Sequence, residues 1–277
     1  MSASVEMPEI HQRWTLDDIP WHLIRPEELR DKDELFFLIA SASFMESTTH
    51  LYTRNLLDFF AEDEEITGWL QDHWLNEELQ HGRALRKYVE TAWPWFEWEK
   101  NYQAFVAEFD AYCGPDSLEQ VRGLEMVSRC AVEMGTASYY TTLKRLAPEP
   151  ALAKLAHCIY SDEVNHYKHF YRYYLRLKEL EGIGRGSVTL ALWRRLRMTN
   201  GDDSFIALKH VFNARHPDKT YDMRVYKELR RQARAVAFDH FPHDLSVKML
   251  LKPLDLGPRA QSVAQAALEA VARRLVP

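Results

Sequence analysis

Asp162-Glu163-Val164-Asn165-His166 lies at the centre of a run in which Leu155, Ile159, Glu163, His166, Phe170, Tyr173 and Leu177 recur at steps of three and four residues. That spacing marks one face of a helix, and because the face is otherwise apolar it is expected to be buried. A carboxylate and an imidazole therefore interrupt a core-facing stripe. Gln71, Trp74, Glu78, His81, Leu85 and Tyr88 form a second such stripe earlier in the chain. Both stripes carry Glu-x-x-His at their middle.

The two motifs belong to an internal repeat. Glu46-Ser-Thr-Thr49-His-Leu-Tyr52 matches Glu133-Met-Gly-Thr136-Ala-Ser-Tyr139 as Glu-x-x-Thr-x-x-Tyr, with Leu56 and Leu143 following at the same offset. Each copy is followed about 30 residues later by an acidic residue and Glu-x-x-His: Glu77-Glu78-Leu-Gln-His81 after the first, Asp162-Glu163-Val-Asn-His166 after the second. Chance supplies roughly one Glu-x-x-His in a chain of this composition but only roughly 0.05 copies of Glu-x-x-Thr-x-x-Tyr. Two copies of the latter, each upstream of a Glu-x-x-His, make coincidence a poor explanation.

Glycine and proline are scarce and clustered, at Pro20, Pro26, Pro94, Gly114-Pro115, Pro148, Pro150 and Gly182 to Gly186. Long helices are expected between these breaks, at about 33–60, 62–92, 117–146 and 150–180, with shorter ones near 187–198, 203–214, 220–241 and 259–275. No segment has convincing strand periodicity. Two helix pairs with short internal connections predict an all-α chain: an antiparallel four-helix bundle about 40 Å long, with additional C-terminal helices packed against it. A single domain over 1–277 is expected, its bundle core at about 33–181 and its helical extension at about 187–277.

The 277 residues are 46% hydrophobic, which excludes a disordered or fibrous chain. The formal net charge is −6, so no general attraction to nucleic acid or anionic membrane is expected. Residues 1–181 carry −14 and residues 182–277 carry +8, an acidic front and a basic rear. Cys113, Cys130 and Cys158 are odd in number and fall in helical segments, which argues against a disulfide framework and for a reducing cytoplasm. Met1 to Glu9 lacks the features of a leader, and no stretch approaches the length of a membrane span, so a soluble, cytoplasmic protein is the expectation.

The repeat makes chemical sense as a dinuclear metal site. Residues i and i+3 of a helix project from one face, so each Glu-x-x-His offers one carboxylate and one ring nitrogen to the same small volume. With Glu46 and Glu133 from the other two helices, Glu78, His81, Glu163 and His166 complete a set of four carboxylates and two imidazoles, whose four negative charges balance two divalent ions. Unbalanced, such carboxylates in a core would each cost several kcal/mol or be forced to protonate. The oxygen and nitrogen donors suit iron or manganese, and the absence of thiolate pairs argues against structural zinc.

At these residues the chain resembles the ferritin-like di-iron superfamily and, within it, the soluble acyl-carrier-protein desaturases. Trp74-Leu-Asn-Glu77-Glu78-Leu-Gln-His81-Gly82 is similar to that family's Trp-x-x-Glu-Glu-x-x-His-Gly, and Asp162-Glu163-Val-Asn-His166 to its Asp-Glu-x-x-His. The resemblance spans about residues 33–181. It implies a ferritin-like bundle, Glu46, Glu78, His81, Glu133, Glu163 and His166 as ligands to two iron ions, and Glu78 and Glu133 as candidates for bridging them. Manganese–iron stays open. It further implies that Thr136 passes protons, that Asp162 orients His81 and, by pseudo-symmetry, that Glu77 orients His166. Trp74 reads equally as a core aromatic or as part of an electron path.

The function so implied is a non-haem di-iron oxidoreductase that activates O2 to oxidise, by desaturation in the first instance, an aliphatic or acyl-carrier-protein-bound acyl substrate. A dry pocket is expected from Phe44, Met45, Met126, Tyr140 and Phe170. Electrons would come from a ferredoxin-like donor, the basic rear of the chain (Arg194, Arg195, Arg197, Arg230, Arg231, Arg234) could dock a carrier protein or donor, and a homodimer is the default. Three other readings are weighed: an iron-handling or peroxide-reducing protein of ferritin or rubrerythrin type, a di-iron N-oxygenase, and a structural bundle with a relict site. The N-oxygenases add a histidine where this chain has Ile159, and rubrerythrins add a Cys-x-x-Cys module. His50, one turn after Glu46, reads more readily as a satisfied polar residue than as a further ligand. His240 and His243 read as parts of a surface turn.

Overall fold

The structure is a computed structural model, and it describes residues 13–114, 118–198 and 202–275. Among them there is no strand, and the chain is all-helical. The expected start at Ser117 and the segment Met1–Glu9 lie outside the described residues. After a short turn, α1 (Pro26–Leu29), come α2 (Asp33–Ser47), α3 (Thr49–Phe59), α4 (Glu64–Trp69), α5 (Leu75–Ala92), α6 (Trp98–Phe109), α7 (Arg122–Leu146) and α8 (Pro150–Glu181). The rear of the chain forms α9 (Arg185–Met198), α10 (Asp202–Arg215), α11 (Met223–Ala237), α12 (His243–Leu251) and α13 (Pro258–Leu275). No helix of the described residues is long and apolar enough to cross a membrane.

Helix α8 shows why these boundaries fall where they do. Glu149 accepts hydrogen bonds from the backbone of Ala151 and Leu152, satisfying donors at the helix start, and Pro150 occupies the first helical position, where it lacks nothing. Gly182 closes the helix in the left-handed region at φ 65°, which glycine enters without steric penalty. Every member of the stripe from Leu155 to Leu177 is buried, as its spacing requires.

Two apolar clusters flank the polar centre. Phe44 of α2, Leu85 of α5, Tyr140 of α7 and Ile159 of α8 belong to one. Leu56 of α3, Trp74, Met134 of α7 and Phe170 of α8 belong to the other. The Glu and His residues of each helix lie between its two apolar ends. Following the clusters along the chain shows that α2 and α5 run in opposite directions, as do α7 and α8, whereas α5 and α7 run the same way. The connection from α5 to α7 must therefore return along the molecule, and it contains α6, a helix the sequence reading did not assign.

Four local features depart from expectation. The first long helix breaks at Thr48, whose hydroxyl bonds back to the Phe44 and Met45 carbonyls, so α2 and α3 are separate. Beyond that break His50 is exposed and is not a further ligand. Between α4 and α5, Leu70–Trp74 form a π-helical turn. The extra residue it accommodates shifts the register, so Leu70 is buried and Gln71, expected on the inward stripe, is exposed. Finally, α12 was unassigned, and His243 at its start is buried against Phe238 and Phe241 and is no surface turn.

Helices α2 and α5 approach closely at Gly82. A methyl group placed there would lie 2.9 Å from both the backbone nitrogen and Cα of Ser47. Ser47 follows Glu46 and Gly82 follows His81, so this approach sets the two polar residues against each other. Gly82→Ala should therefore lower stability by about 1–3 kcal/mol, although Gly→Ala in a helix ordinarily stabilises by about 1 kcal/mol. Gly68→Ala in α4, where nothing lies within 4 Å of the new methyl, supplies the ordinary case. Thermal unfolding should move down for Gly82→Ala and up for Gly68→Ala; equal shifts would contradict the close approach.

Candidate metal centre

All six expected ligand residues converge. Glu46, Glu78, His81 and Glu163 place ligand atoms within 4.8 Å of one another, and so do Glu78, Glu133, Glu163 and His166. Each of the six is buried. Glu78 and Glu163 belong to both groups, whereas Glu133 belongs to one. The carboxylates common to both groups are thus the pair carried by the two Glu-x-x-His motifs.

The imidazoles are held by their outer nitrogens. His81 Nε2 lies 3.1 Å from Asp162 Oδ2, and His166 Nε2 lies 2.8 Å from Glu77 Oε2. A carboxylate can only accept here, so Nε2–H donates and the ring turns Nδ1 inward. His81 Nδ1 stands 3.3 Å from Glu163 Oε1, and His166 Nδ1 stands 3.1 Å from Glu78 Oε1 and 3.6 Å from Glu133 Oε2. Both Nδ1 atoms and Glu163 Oε1 are buried without a hydrogen-bond partner. Unsatisfied buried donors and acceptors are rare in native interiors. Lone pairs converging from nitrogen and carboxylate oxygen fit a divalent cation, so this group could hold a metal ion.

Electrostatics point the same way. Burial, reinforced by the neighbouring Glu163 charge, raises the carboxyls of Glu46 and Glu78 and pushes Glu133 up to about 8. Burial acts in the same direction on Glu163, but the adjacent imidazoles of His81 and His166 outweigh it and hold that carboxyl at about 2. Burial would lower both histidines. The carboxylates beside the rings outweigh it, Asp162 and Glu163 at His81 and Glu133, Glu77 and Glu78 at His166, and both imidazoles rise well above their ordinary value. Protons thus hold the cluster together where cations otherwise would.

Several neighbours complete the surroundings. Thr136 Oγ1 donates to Glu163 Oε2 at 2.6 Å, and Tyr140 donates to Glu46 Oε1. Trp14 was missed by the sequence reading. Its Nε1 donates to Asp162 Oδ2 at 2.7 Å, its ring stacks on His81 at 6.2 Å, and Gln80 donates to its carbonyl at 3.0 Å. It lies outside any periodic segment, so no helical spacing could have pointed to it. Trp74 is buried with its ring 6.4 Å from that of His166 and 5.8 Å from Phe170.

A cavity of about 630 Å³ opens beside the cluster, between α2 and α7 on one side and α10 and α11 on the other. Its walls are almost wholly apolar, with Phe37, Leu143, Ala207 and Phe241 among them, and Glu46, Thr136 and Tyr140 also face it. Of the expected pocket residues Met45 and Tyr140 line it; Phe44, Met126 and Phe170 are instead packed in the two apolar clusters. The cavity is closed by the rear helices, whose packing against α2 and α7 had no signature in the motifs.

Many basic residues of the rear are engaged within the chain. Arg194 pairs with Glu119, Arg231 with Glu228, Arg197 stacks on Trp193 and Arg230 on Tyr226, while Arg234 lines the cavity. All three cysteines are free. No family model matches the chain, and no curated protein matches its sequence significantly.

These protonation states set a pH dependence. Between the ordinary carboxyl value of 4.5 and about 8, the metal-free folded chain keeps on Glu133 a proton that the unfolded chain has lost. Stability therefore falls as pH rises through that window, and the raised histidines act in the same sense above 6.5. The lowered Glu163 acts oppositely, but only between about 2 and 4.5. A cation must displace the same protons, so Mn(II) should bind more tightly at pH 8 than at pH 6, with net proton release in calorimetry run in buffers of different ionisation enthalpy. An affinity independent of pH would contradict this account of the site.

Proposed function

We propose that the chain is a ferritin-like di-iron oxidoreductase that uses O2 to oxidise an aliphatic substrate, with desaturation of an acyl chain as the reaction its motifs favour. One observation carries this reading: an apolar cavity large enough for a substrate is walled on one side by Glu46, itself among the ligand atoms. Iron bound by the six ligands would supply the O2 chemistry and the hydrogen abstraction from an unactivated carbon. Manganese–iron would serve the same ligand set.

The residues divide that work. Asp162 and Glu77 fix the ring planes of His81 and His166 so that both Nδ1 atoms face inward. Trp14 in turn holds Asp162. Thr136 faces the cavity while bonded to Glu163, which places an exchangeable hydroxyl proton between substrate space and ligand. The apolar walls keep the reacting carbon in a dry volume and exclude competing water.

An iron-storage or peroxide-scavenging role makes no use of such a cavity. At the position where N-oxygenases add a histidine, Ile159 is fully buried in an apolar cluster. Reduction is proposed to come from a ferredoxin-like donor, and an acyl-carrier protein, docking on the rear helices near the cavity, is the proposed deliverer of the acyl chain.

The test is O2 uptake by Fe(II)-loaded protein given chemical reductant and a panel of saturated acyl-pantetheine thioesters, with products separated by mass spectrometry. Wild type should form an unsaturated or hydroxylated acyl product. Ala42→Trp, which fills the cavity, should keep its iron and lose at least about tenfold in acyl-dependent turnover. Equal turnover by Ala42→Trp would remove the cavity from the mechanism, and absence of any oxidised acyl product would contradict the proposed substrate class.

A further inference from the structure

The departures of the site from its own repeat are informative. One residue beyond the matched tyrosines Tyr52 and Tyr139, the first copy has Thr53 and the second has Tyr140. Thr53 turns its hydroxyl back on its own helix, donating to the Thr49 carbonyl at 2.7 Å. Tyr140 is long enough to cross from α7 to α2, where it donates to Glu46 Oε1. Glu133 is the repeat counterpart of Glu46, yet no hydroxyl of the described residues donates to its carboxylate; its near neighbour is His166 Nδ1 at 3.6 Å.

The threonines of the repeat diverge in the same sense. Both lie within reach of the carbonyl one turn back, of Glu46 and of Glu133, but Thr49 also shares a hydrogen bond with Tyr52 Oη whereas Thr136 donates to the carboxylate of Glu163 at 2.6 Å. The two hydroxyls that reach ligands, on Thr136 and Tyr140, belong to cavity-lining residues. Glu46 lines the cavity as well; Glu133 and His166 do not. A carboxylate oxygen that accepts a hydrogen bond from a buried phenol has less electron density to offer a cation.

We infer that Tyr140 is a positioning residue that occupies one carboxylate oxygen of Glu46, so that the Glu46/His81 half, on the cavity side, would offer a cation fewer donor atoms than the Glu133/His166 half. The inference rests on the dinuclear reading of the site. It makes the two halves chemically unequal although their six ligands are symmetric by repeat. The half held by Glu133 and His166, with no hydroxyl on its terminal carboxylate, is the tighter and more completely coordinated one.

The probe is Co(II), whose visible absorption weakens as coordination number rises, titrated into the metal-free full chain. Wild type should take up two ions in steps separated by at least about tenfold in affinity, the weaker step bringing the stronger absorption. Tyr140→Phe should tighten the weaker step by about tenfold and reduce its absorption, because Glu46 regains its second oxygen. Tyr139→Phe, in the neighbouring cavity-lining residue, should leave both steps as in wild type. In a comparison that needs no change at Tyr140, His81→Ala should abolish the weaker step and His166→Ala the stronger one.

A Tyr140→Phe protein with unchanged steps and spectrum would overturn the inference and leave Tyr140 as packing, and so would loss of the weaker step in His166→Ala. Wild type that binds fewer than two Co(II) ions would overturn the dinuclear reading itself, and the inference with it.

Discussion

Four carboxylates and two imidazoles lie within a few ångströms of one another between two apolar clusters, and the rest of the structure is arranged around making that tolerable. A buried ionised carboxylate is stable only when paired, hydrogen-bonded or bound to a cation. Here the pairing is incomplete, since both inner imidazole nitrogens and one oxygen of Glu163 lack partners. Protons can neutralise the cluster, as the raised histidines and Glu133 show. Divalent cations neutralise it while also satisfying the bare lone pairs.

The backbone bends to this constraint in identifiable places. Gly82 lets α5 approach α2 within the reach of Glu46 and His81. The π-helical turn at Leu70–Trp74 resets the register so that Trp74, Glu78 and His81 face inward together. The break at Thr48 ends α2 just past Glu46 and sends His50 to the surface. Trp14, arriving from outside the helix pairs, covers the far side of His81 and fixes Asp162. Trp14, Leu70 and Trp74 also belong to the apolar clusters, so the same adjustments that position the polar centre pack its flanks.

Much of this was legible because helical spacing and repetition are long-range signals. The stripe of α8 and the paired Glu-x-x-His motifs located Glu78, His81, Glu163 and His166, the Glu-x-x-Thr-x-x-Tyr repeat located Glu46 and Glu133, and the acidic residue before each motif located the partners of the outer imidazole nitrogens. What stayed hidden depends on tertiary approach. Which carboxylates the two groups share, Glu78 and Glu163, follows from how the helix pairs face each other. Gln71 was misplaced because a one-residue π-helical insertion leaves no mark in composition. The cavity required the packing of α10 and α11 against α2 and α7, and Trp14 required a contact across 148 residues of sequence. Helix α6, with Trp98, Phe105 and Phe109 buried, lies between the two copies of the repeat and carries no motif of its own.

The claim on which everything else depends is that two metal ions occupy the space bounded by Glu78 and Glu163. Anomalous X-ray diffraction at the iron edge, from crystals loaded anaerobically with Fe(II), addresses it directly. The account predicts two peaks about 3.5–4 Å apart, one beside His81 Nδ1 and Glu46, the other beside His166 Nδ1 and Glu133. A cluster that stays free of iron, or iron found only at surface residues, would contradict it.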